Sequence, residues 1–343
     1  MFDDIVLSSR IRLARNIDGL NFPSKLVDYE EALSVTKGVY NLLEEYGDFE
    51  FYKLKNLDNI KSLVLLEEHL ISKELLDNKD ISAVAINFKD GLSVMINEED
   101  HIRQQCFLHG FNLSKAYEKI SVLDELILEN FKIAYDEKLG FITASPSNLG
   151  TGMRASLMLF LPALTMTGRI EALVNSISKI GLTVRGYYGE GSKAIGYLYQ
   201  ISNESCLGDN EEHIIKTVEN VASKVCEMEE EFRKQLLCDM GDEIKDKAMR
   251  AFGILKNCYI LSSDEAVKLL SEVKLGCSLG IITLKDKLLP DKLLVETQPA
   301  HLLENFGNNL NSKQRDITRA RLVREKFKEE TLWINLQTVL NKY

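Results

Sequence analysis

The sequence predicts an α+β domain followed by a smaller all-helical domain. Up to about residue 232, stretches with helical periodicity alternate with short strand patterns, whereas long amphipathic helices dominate after Gly208. A length of 343 residues is sufficient for two domains that each bury a core. We therefore predict one domain over residues 1–232 and a helical domain over residues 233–343. No linker rich in Pro, Gly or Ser separates them, so we expect the two to pack together.

The first part of the α+β region combines helices with a hairpin. Apolar residues at helical spacing predict helices over residues 24–46 and 58–76. Two β-rich stretches, at residues 81–86 and 92–96, flank Lys89-Asp90-Gly91, a turn that places glycine where positive φ is needed. The residues that follow this hairpin, 97–103, therefore begin at the end of a strand.

The remaining elements follow from the same periodicities. In the α+β region we predict a helix at 113–131, a strand at 141–144, a turn-rich loop at 145–152 that opens onto an apolar helix, a helix at 167–180, and strands at 182–187 and 194–202. In the helical region, Ser262-Ser263-Asp264-Glu265 resembles a capping box, and the helix that it begins is expected to end at Gly276. Another helix is predicted from near Ser312.

Composition and charge disfavour several classes of protein. A net charge of -10 and a pI near 5.2 disfavour a direct nucleic-acid binder, which normally shows a basic face. The six cysteines are scattered and the five histidines dispersed, so we predict reduced thiols and no resident metal site. The start of the sequence lacks the apolar core of a signal peptide, and the most apolar run, Ala155 to Met166, contains Pro162 and is too short to span a bilayer. We expect a cytoplasmic protein that does not bind membranes.

Five arginines stand in four short motifs, although lysine outnumbers arginine by more than two to one in the chain. Arginine is preferred where a planar fork must hold a phosphate or a carboxylate through two hydrogen bonds. If Arg10, Arg12, Arg103, Arg154 and Arg185 converge, they could surround a polyphosphate; otherwise they are surface arginines in weak ion pairs. The motifs are Ser8-Ser9-Arg10-Ile11-Arg12, Asn97-Glu98-Glu99-Asp100-His101-Ile102-Arg103, Asn148-Leu149-Gly150-Thr151-Gly152-Met153-Arg154-Ala155-Ser156 and Arg185-Gly186-Tyr187-Tyr188-Gly189-Glu190.

Acidic residues accompany two of these motifs. Glu98, Glu99 and Asp100 are adjacent at a predicted strand end, and Glu190 lies in a loop after another strand. A guanidinium is a poor nucleophile, and a carboxylate pair that holds two of its nitrogens would align it and take up a proton. The same acids could instead hold Mg²⁺, or form a solvated acidic turn. Together the motifs indicate a site for a polyphosphate, a metal ion and a cationic acceptor.

Other candidate residues carry weaker indications. The sequence has no Walker A motif and no eukaryotic protein-kinase motifs, so any nucleotide site is of another kind. His69 could stack on a base or touch a phosphate, or lie on a helix surface. In Arg315-Asp316-Ile317-Thr318-Arg319-Ala320, the two arginines share a helix face and Asp316 can brace Arg319. This pair suits a phosphate-bearing ligand, and an exposed, salt-bridged helix is the alternative.

The four motifs, in this order, resemble those of the ATP:guanidino phosphotransferase family of arginine and creatine kinases. The resemblance covers roughly residues 5 to 232. Two features resemble the bacterial protein-arginine kinases within the family. The Ser-Arg-Ile-Arg motif stands near the start of the sequence, and the helical C-terminal region contains Arg-Asp-x-x-Arg-Ala. One departure is Ser145-Pro146-Ser147, where the family usually has Cys-Pro-Thr, so a thiolate near the acceptor is missing.

The resemblance implies a fold, an activity and site residues. It implies an antiparallel sheet flanked by helices, ATP and Mg²⁺ as cofactors, a homodimer, and phosphorylation of arginine side chains in proteins. It further implies marking of proteins for Clp proteolysis, relief of a heat-shock repressor and an activator of the McsA type. Glu99 is implied as the catalytic base and Glu190 as the second carboxylate, with Arg154 and Arg185 assisting transfer. Phosphoarginine is implied to bind at Arg315, Asp316, Arg319 and Ala320. The implied ATP contacts are Ser8, Ser9, Arg10, Ile11, Arg12, His69, Arg103, Arg154, Ala155, Ser156, Leu157, Met158, Arg185, Gly186, Tyr187, Tyr188, Gly189 and Glu190.

Two other functions fit the same motifs. One is a free-arginine (phosphagen) kinase on the same fold. The other is a phosphoarginine reader that uses Arg315 and Arg319, with catalysis weakened by the change at Ser145.

Overall fold

A computed structural model of the chain describes residues 2–25, 29–186, 194–328 and 330. Ten strands lie in these residues: β1 (Val6–Arg15), β2 (Glu50–Lys53), β3 (Ala83–Asn87), β4 (Leu92–Ile96), β5 (Ile102–His109), β6 (Tyr135–Asp136), β7 (Gly140–Phe141), β8 (Met153–Phe160), β9 (Leu182–Gly186) and β10 (Leu198–Asn203). The helices described there are α1 (Tyr29–Tyr46), α2 (Asn59–Glu67), α3 (Lys73–Asp77), α4 (Leu113–Asn130), α5 (Pro162–Met166), α6 (Ile170–Ser178), α7 (Glu211–Asn257), α8 (Ser263–Ser278), α9 (Leu289–Glu296), α10 (Pro299–Phe306) and α11 (Ser312–Lys328).

The chain divides into two compact units. The first contains residues 1–159, 172–185 and 200–226, and the second contains residues 160–171, 186–199 and 227–343. The predicted boundary at residue 232 falls inside α7, whose helical geometry is interrupted at Met240. The helices from α8 onward belong to the second unit, as the amphipathic patterns predicted.

An eight-stranded sheet in the order β2-β3-β4-β5-β1-β8-β10-β9 organises the first unit. Strand β1 is antiparallel to both of its neighbours, β5 and β8, and helix α4 packs against β1 and β5. The predicted β3–β4 hairpin is confirmed, and both strands are buried throughout. Its turn requires glycine, because Gly91 has a φ of 68° and a Cβ there would lie 2.3 Å from the carbonyl oxygen of Phe107.

Four predicted elements differ from the structure, one of them the strand predicted at 194–202, which begins only at Leu198 after a 3₁₀ turn at Ile195–Tyr197. The helix predicted at 58–76 is two helices, α2 and α3, because His69 adopts a φ of 58° and Ser72 caps α3 through a bond from the Leu75 N–H. The apolar helix predicted after residue 152 begins as strand β8, whose side chains alternate between an apolar buried face and a more polar face. The strand predicted at 141–144 is reduced to the Gly140–Phe141 pair.

Local patterns in the second unit were predicted more closely. Ser262 caps α8 by accepting a hydrogen bond from the Glu265 N–H, which confirms the N-terminal half of the capping box. Helix α8 continues past Gly276 to Ser278, and Gly276 is instead a point of close packing against Ala248 and Ile282. Among the described residues, no helix combines the length and apolarity needed to cross a bilayer.

Candidate active site

Four of the five predicted arginines project from one face of the sheet. In the register of β1 against β8, Arg12 stands opposite Arg154; against β5, Ala14 stands opposite Arg103. Paired residues on antiparallel strands share a face, and so do residues two positions apart along a strand. Arg10, Arg12, Arg103 and Arg154 therefore form a single positive surface, here called the arginine face, although 144 residues separate Arg10 from Arg154 in the sequence.

The arginine face is electrostatically strained. Burial, followed by Arg103 and Arg154, lowers the pKa of Arg10 to about 10. Burial also lowers the pKa of Arg12, and so do the charges of Arg10, Arg103 and Arg154. The charge of Glu98 opposes this shift. The Nε atoms of Arg12 and Arg154 are buried and have no hydrogen-bond partner among the described residues. Such a cluster of cations is the arrangement that a polyanion would neutralise.

Arg185 extends the positive charge toward the sheet edge. It is exposed near the end of β9, the edge strand, and it contributes with burial to lowering the pKa of Arg154. Arg154 is held by a 2.9 Å hydrogen bond from Nη2 to the Ser202 hydroxyl of β10. The sequence-predicted residues Tyr187, Tyr188, Gly189 and Glu190 lie outside the described residues, and Gly186 is the last described residue before them.

The predicted nucleotide-contacting stretches alternate between the two faces of the sheet. Ser8, Ser156 and Met158 lie on the same face as the arginines, as their pairing with one another and with Arg10 requires. The side chains of Ser9, Ile11, Ala155 and Leu157 lie on the opposite face and are fully buried. Because the side chains of a strand alternate between faces, only part of each predicted stretch presents its side chains on the arginine face.

His69 lies beside the arginine face. Its carbonyl oxygen accepts a 2.7 Å bond from Gln105, the residue opposite Arg12 on β5. Burial, with a smaller contribution from Arg10, lowers the pKa of His69 to about 4, so the imidazole is neutral at pH 7. The structure thus brings His69 to the site, in a left-handed turn after α2 rather than on a helix surface.

The acids form a tightly anchored turn between β4 and β5, residues 97–101, here called the acidic turn. Asn97 adopts a φ of 57° and donates to the carbonyl oxygens of Ala32 and Ile81. Glu98 is fully buried and accepts hydrogen bonds from Ser72 and from Arg103, with which it forms an ion pair. These anchors hold the backbone that leads into Glu99.

The two glutamates of this turn have different electrostatic environments. Burial alone would raise the pKa of Glu98, but the charge and hydrogen bond of Arg103 lower it overall. Burial and then the charges of Asp100 and Glu98 raise the pKa of Glu99, which is half-buried. Among the described residues, no group donates a hydrogen bond to the Glu99 carboxylate. Glu99 is thus the member of the turn that is free to accept a proton.

Asp100 and Asn16 connect the acidic turn to the loop that carries Ser145. Asp100 accepts hydrogen bonds from Asn16 at 2.6 Å and from the N–H of Ala144 at 2.7 Å. The loop at residues 142–148, here called the Ser145 loop, therefore contacts Asp100, the residue after Glu99. The Ser145 hydroxyl lies 3.0 Å from that of Ser147, and the pair replaces the thiol expected from the family motif.

Sequence reasoning missed the residues that hold the motifs in place. Asn16, Ser72, Asn78 and Ser202 each bond to a motif residue from a distant segment. They stand in no recognisable pattern, so the sequence carried no signal for them. Asn97 is itself a motif residue, and its φ of 57° is one that asparagine tolerates better than most residues.

The acids do not form a metal cage. Among the described residues, no group of three or more His, Cys, Asp or Glu side chains is placed to hold a metal ion. Glu98 is already paired with Arg103, and Asp100 is bonded to Asn16 and Ala144. A Mg²⁺ ion would fit here as a companion of nucleotide phosphates, with water and at most one carboxylate from the acidic turn.

The predicted phosphate-binding pair in α11 has two unlike members. Arg319 is 1% exposed and donates to the carbonyl oxygens of Thr297 and Leu261 and to Asp316, which confirms the predicted brace. Arg315 is partly exposed and donates to the carbonyl oxygen of Leu310 at 3.1 Å. Arg319 therefore has a scaffolding role, and Ala320 beside it is fully buried.

The family of this chain follows from its similarity to known proteins. Residues 32–232 match the family model described as ATP:guanido phosphotransferase, C-terminal catalytic domain. The chain belongs to this family. Within the ATP:guanido phosphotransferases, residues 241–336 also match the model described as the protein-arginine kinase McsB C-terminal domain. The predicted family is therefore confirmed.

Similarity to known relatives covers nearly the whole length of this ATP:guanido phosphotransferase. It is 44% identical over 332 residues to the protein-arginine kinase of Clostridium kluyveri, covering 95% of this chain and 96% of that protein. It is 45% identical over 330 residues to the protein-arginine kinase of Clostridium acetobutylicum, covering 95% and 97%.

Solved structures support the fold. A lombricine kinase has a TM-score of 0.59 at 26% identity, covering 66% of this chain and 67% of that one. A duplicated taurocyamine kinase from Schistosoma mansoni, solved with transition-state analogue components, has the same TM-score and identity, covering 66% and 33%. The predicted fold class, a guanidino-kinase domain with a large antiparallel sheet and helices, is confirmed.

Proposed function

We propose that this chain transfers the γ-phosphoryl group of ATP to arginine side chains in proteins. The observation that carries the proposal is the pairing of the arginine face with one unbonded carboxylate, Glu99, on an anchored turn. Arg103 links the two groups, because it is part of the arginine face and its pKa is raised by Glu98, Asp100 and Glu99 against the effect of burial.

The arginine face would bind and stabilise the triphosphate. Phosphoryl transfer depends mainly on positioning and on neutralising the charge of three equatorial oxygens. Arg10, Arg12, Arg103 and Arg154 carry fixed charges on rigid strands, so little reorganisation is needed during the reaction. Mg²⁺, bound to the phosphates, would supply additional neutralisation.

Glu99 would act on the acceptor. A guanidino nitrogen attacks the γ-phosphorus, the bond from phosphorus to the β,γ-bridging oxygen breaks, and ADP leaves. The nitrogen loses a proton to the Glu99 carboxylate as the P–N bond forms. The raised pKa of Glu99 favours this role, because a stronger base takes up the proton more readily. We propose Glu190 as the second carboxylate and Arg185 as a further contact to the transferred group.

A protein acceptor is favoured over free arginine by the C-terminal region. Relatives named protein-arginine kinases match nearly the whole chain, whereas the lombricine kinase structure covers 66% of it. The match to the McsB C-terminal domain adds a helical region at residues 241–336. We therefore place free arginine second as a substrate, and we propose 1–232 and 233–343 as the functional domains.

The test compares two acceptors in one reaction series. The chain is incubated with ATP and Mg²⁺ together with either free arginine or an arginine-rich protein such as a histone. Products are analysed by mass spectrometry at neutral pH and again after acid treatment, because a P–N bond is acid-labile. We expect phosphorylated arginines in the protein, and we expect acid treatment to remove their phosphate. The Glu99→Gln variant should not produce them. Transfer to free arginine alone would establish the phosphagen kinase. Binding of phosphoarginine peptide without any ATP turnover would establish the reader.

The wider roles implied by the resemblance are proposals of the same kind. We propose Mg-ATP as the nucleotide substrate, a homodimer, an activator of the McsA type, and a heat-shock repressor among the targets. Delivery of the products to a Clp protease in the cytoplasm would follow from such marking. We also propose that Arg315, Asp316, Arg319 and Ala320 border a phosphoarginine site, in which Arg315 meets the phosphate and Arg319 holds the surrounding backbone.

A further inference from the structure

A buried asparagine connects the three segments that meet around Glu99. Asn16 is 2% exposed and directly follows strand β1. Its Nδ2 donates to Asp100 at 2.6 Å and to the carbonyl oxygen of Ile142 at 3.0 Å, and its Oδ1 accepts from the N–H of His101 at 2.9 Å. One side chain thus bonds Asp100 and His101 of the acidic turn and also bonds Ile142 at the start of the Ser145 loop.

Asp100 completes this connection. The same Oδ1 that accepts from Asn16 also accepts from the N–H of Ala144, at 2.7 Å. Asp100 is 1% exposed, so the two bonds are shielded from water. The Asn16–Asp100 pair, here called the amide clip, therefore joins the residue after Glu99 to the residue before Ser145.

Stability alone does not account for the amide clip. Burying a carboxylate against amides, with no ion pair to a cation among the described residues, is costly compared with apolar packing of the same volume. What hydrogen bonds provide that apolar packing does not is a defined distance and direction between the joined groups. Arg15, the residue before Asn16, bonds the segment that follows the Ser145 loop: it donates to the carbonyl oxygen of Thr151 at 3.0 Å.

We propose that Asn16 is a positioning residue that fixes the Glu99 carboxylate relative to the Ser145 loop, so that the acceptor guanidinium is aligned for in-line attack. The proposal rests on the proposed function of Glu99 as the base. Asn16 acts through Asp100 and His101 and does not touch the nucleotide. Its loss should therefore impair acceptor alignment and leave the arginine face unchanged.

The test separates acceptor alignment from nucleotide binding. Asn16→Ala is expected to lower kcat by about tenfold to a hundredfold, the cost of a misplacement near 1 Å. The KM for the acceptor should rise, and the melting-temperature shift caused by ATP should stay unchanged. Asn87→Ala is the matched control, because Asn87 is also buried but its side chain, among the described residues, bonds only to Asp90 in the distant β3–β4 turn. This control should lose some stability without a change in kcat.

A second variant covers the case in which Asn16→Ala does not fold. Asn16→Gln keeps the amide but displaces it by one methylene, so a positioning role predicts a lower kcat in a folded protein, measured well below its melting temperature. Wild-type kcat in both variants would overturn the proposal, as would a parallel loss of ATP binding. The wild-type reaction in the same series reports separately on the proposed function: without any transfer from the wild type, that function fails whatever the variants do.

Discussion

Replacing Arg12 by methionine should stabilise the protein without nucleotide while removing most of its activity. Arg12 is held among like charges, because Arg10, Arg103 and Arg154 share its face and, with burial, lower its pKa. Its side chain makes no hydrogen bond or ion pair among the described residues, and its buried Nε is unbonded. Methionine keeps the apolar stem and removes the charge, so the fold loses repulsion and little attraction.

The size of the gain follows from Coulomb's law. Two unit charges about 8 Å apart at an effective dielectric constant near 20 repel by about 2 kcal/mol. Three such neighbours act on Arg12, the attraction of Glu98 cancels about one of them, and solvent and salt screen the remainder. We expect a net stabilisation of about 1 kcal/mol, which for a chain of 343 residues corresponds to a rise of about 1–2 °C in melting temperature.

The assay measures thermal unfolding with and without ATP, together with the rate of transfer. ATP at one hundred times its Kd should stabilise the wild type by about 2.7 kcal/mol, and Arg12→Met should lose most of this shift. Turnover should fall by about 10²–10³, as when a charged contact to a transferred group is removed. Arg250→Met, at an exposed position outside the arginine face, should change neither quantity. The reasoning is refuted if Arg12→Met lowers the melting temperature and keeps the full shift with ATP.

Three further predictions concern single groups of the site. Glu99→Gln should reduce transfer at least a hundredfold and leave the thermal shift caused by ATP unchanged. In the wild type, kcat should fall as the pH is lowered through the pKa of Glu99, which lies above that of an ordinary glutamate. A variant whose kcat still falls in the same acidic range would contradict this role. Phosphate bound near His69 should raise its pKa from about 4 by offsetting the charge of Arg10, so calorimetry in two buffers near pH 5 should show proton uptake with ATP that His69→Asn lacks. Ser145→Cys should lower the acceptor KM several-fold as the pH approaches about 8.5, the ordinary pKa of a thiol, because a thiolate can pair with a guanidinium. A change in the KM for ATP instead would contradict the placement of residue 145 beside the acceptor.

The arginine face was predictable in its members but not in its geometry. Sequence motifs singled out Arg10, Arg12, Arg103 and Arg154, because arginine was used where lysine was the commoner cation. Their convergence depends on β1 lying between β5 and β8, a long-range pairing that local periodicity does not report. The strand β8 was itself predicted as helix, since Met, Ala and Leu favour helices when read without their alternating burial.

The supporting bonds around the acids could not be predicted. Asn16 and Asp100 are separated by 84 positions, and nothing in the local sequence of Asn16 indicates its partner. The burial of Arg319 was likewise hidden, because the carbonyl oxygens that hold it belong to Thr297 and Leu261, on other segments. Motif reading finds residues that are chemically unusual, whereas the bonds that position them use ordinary residues.

An experimental structure of the chain with ADP, Mg²⁺, nitrate and an arginine-containing peptide would test the central claim most directly. Planar nitrate mimics the three equatorial oxygens of the phosphoryl group in the transition state. We predict that nitrate and the ADP phosphates lie on the arginine face, within hydrogen-bonding distance of Arg12, Arg103 and Arg154, and that the peptide guanidinium contacts Glu99. A nucleotide bound elsewhere, or a peptide arginine held away from Glu99, would contradict the account.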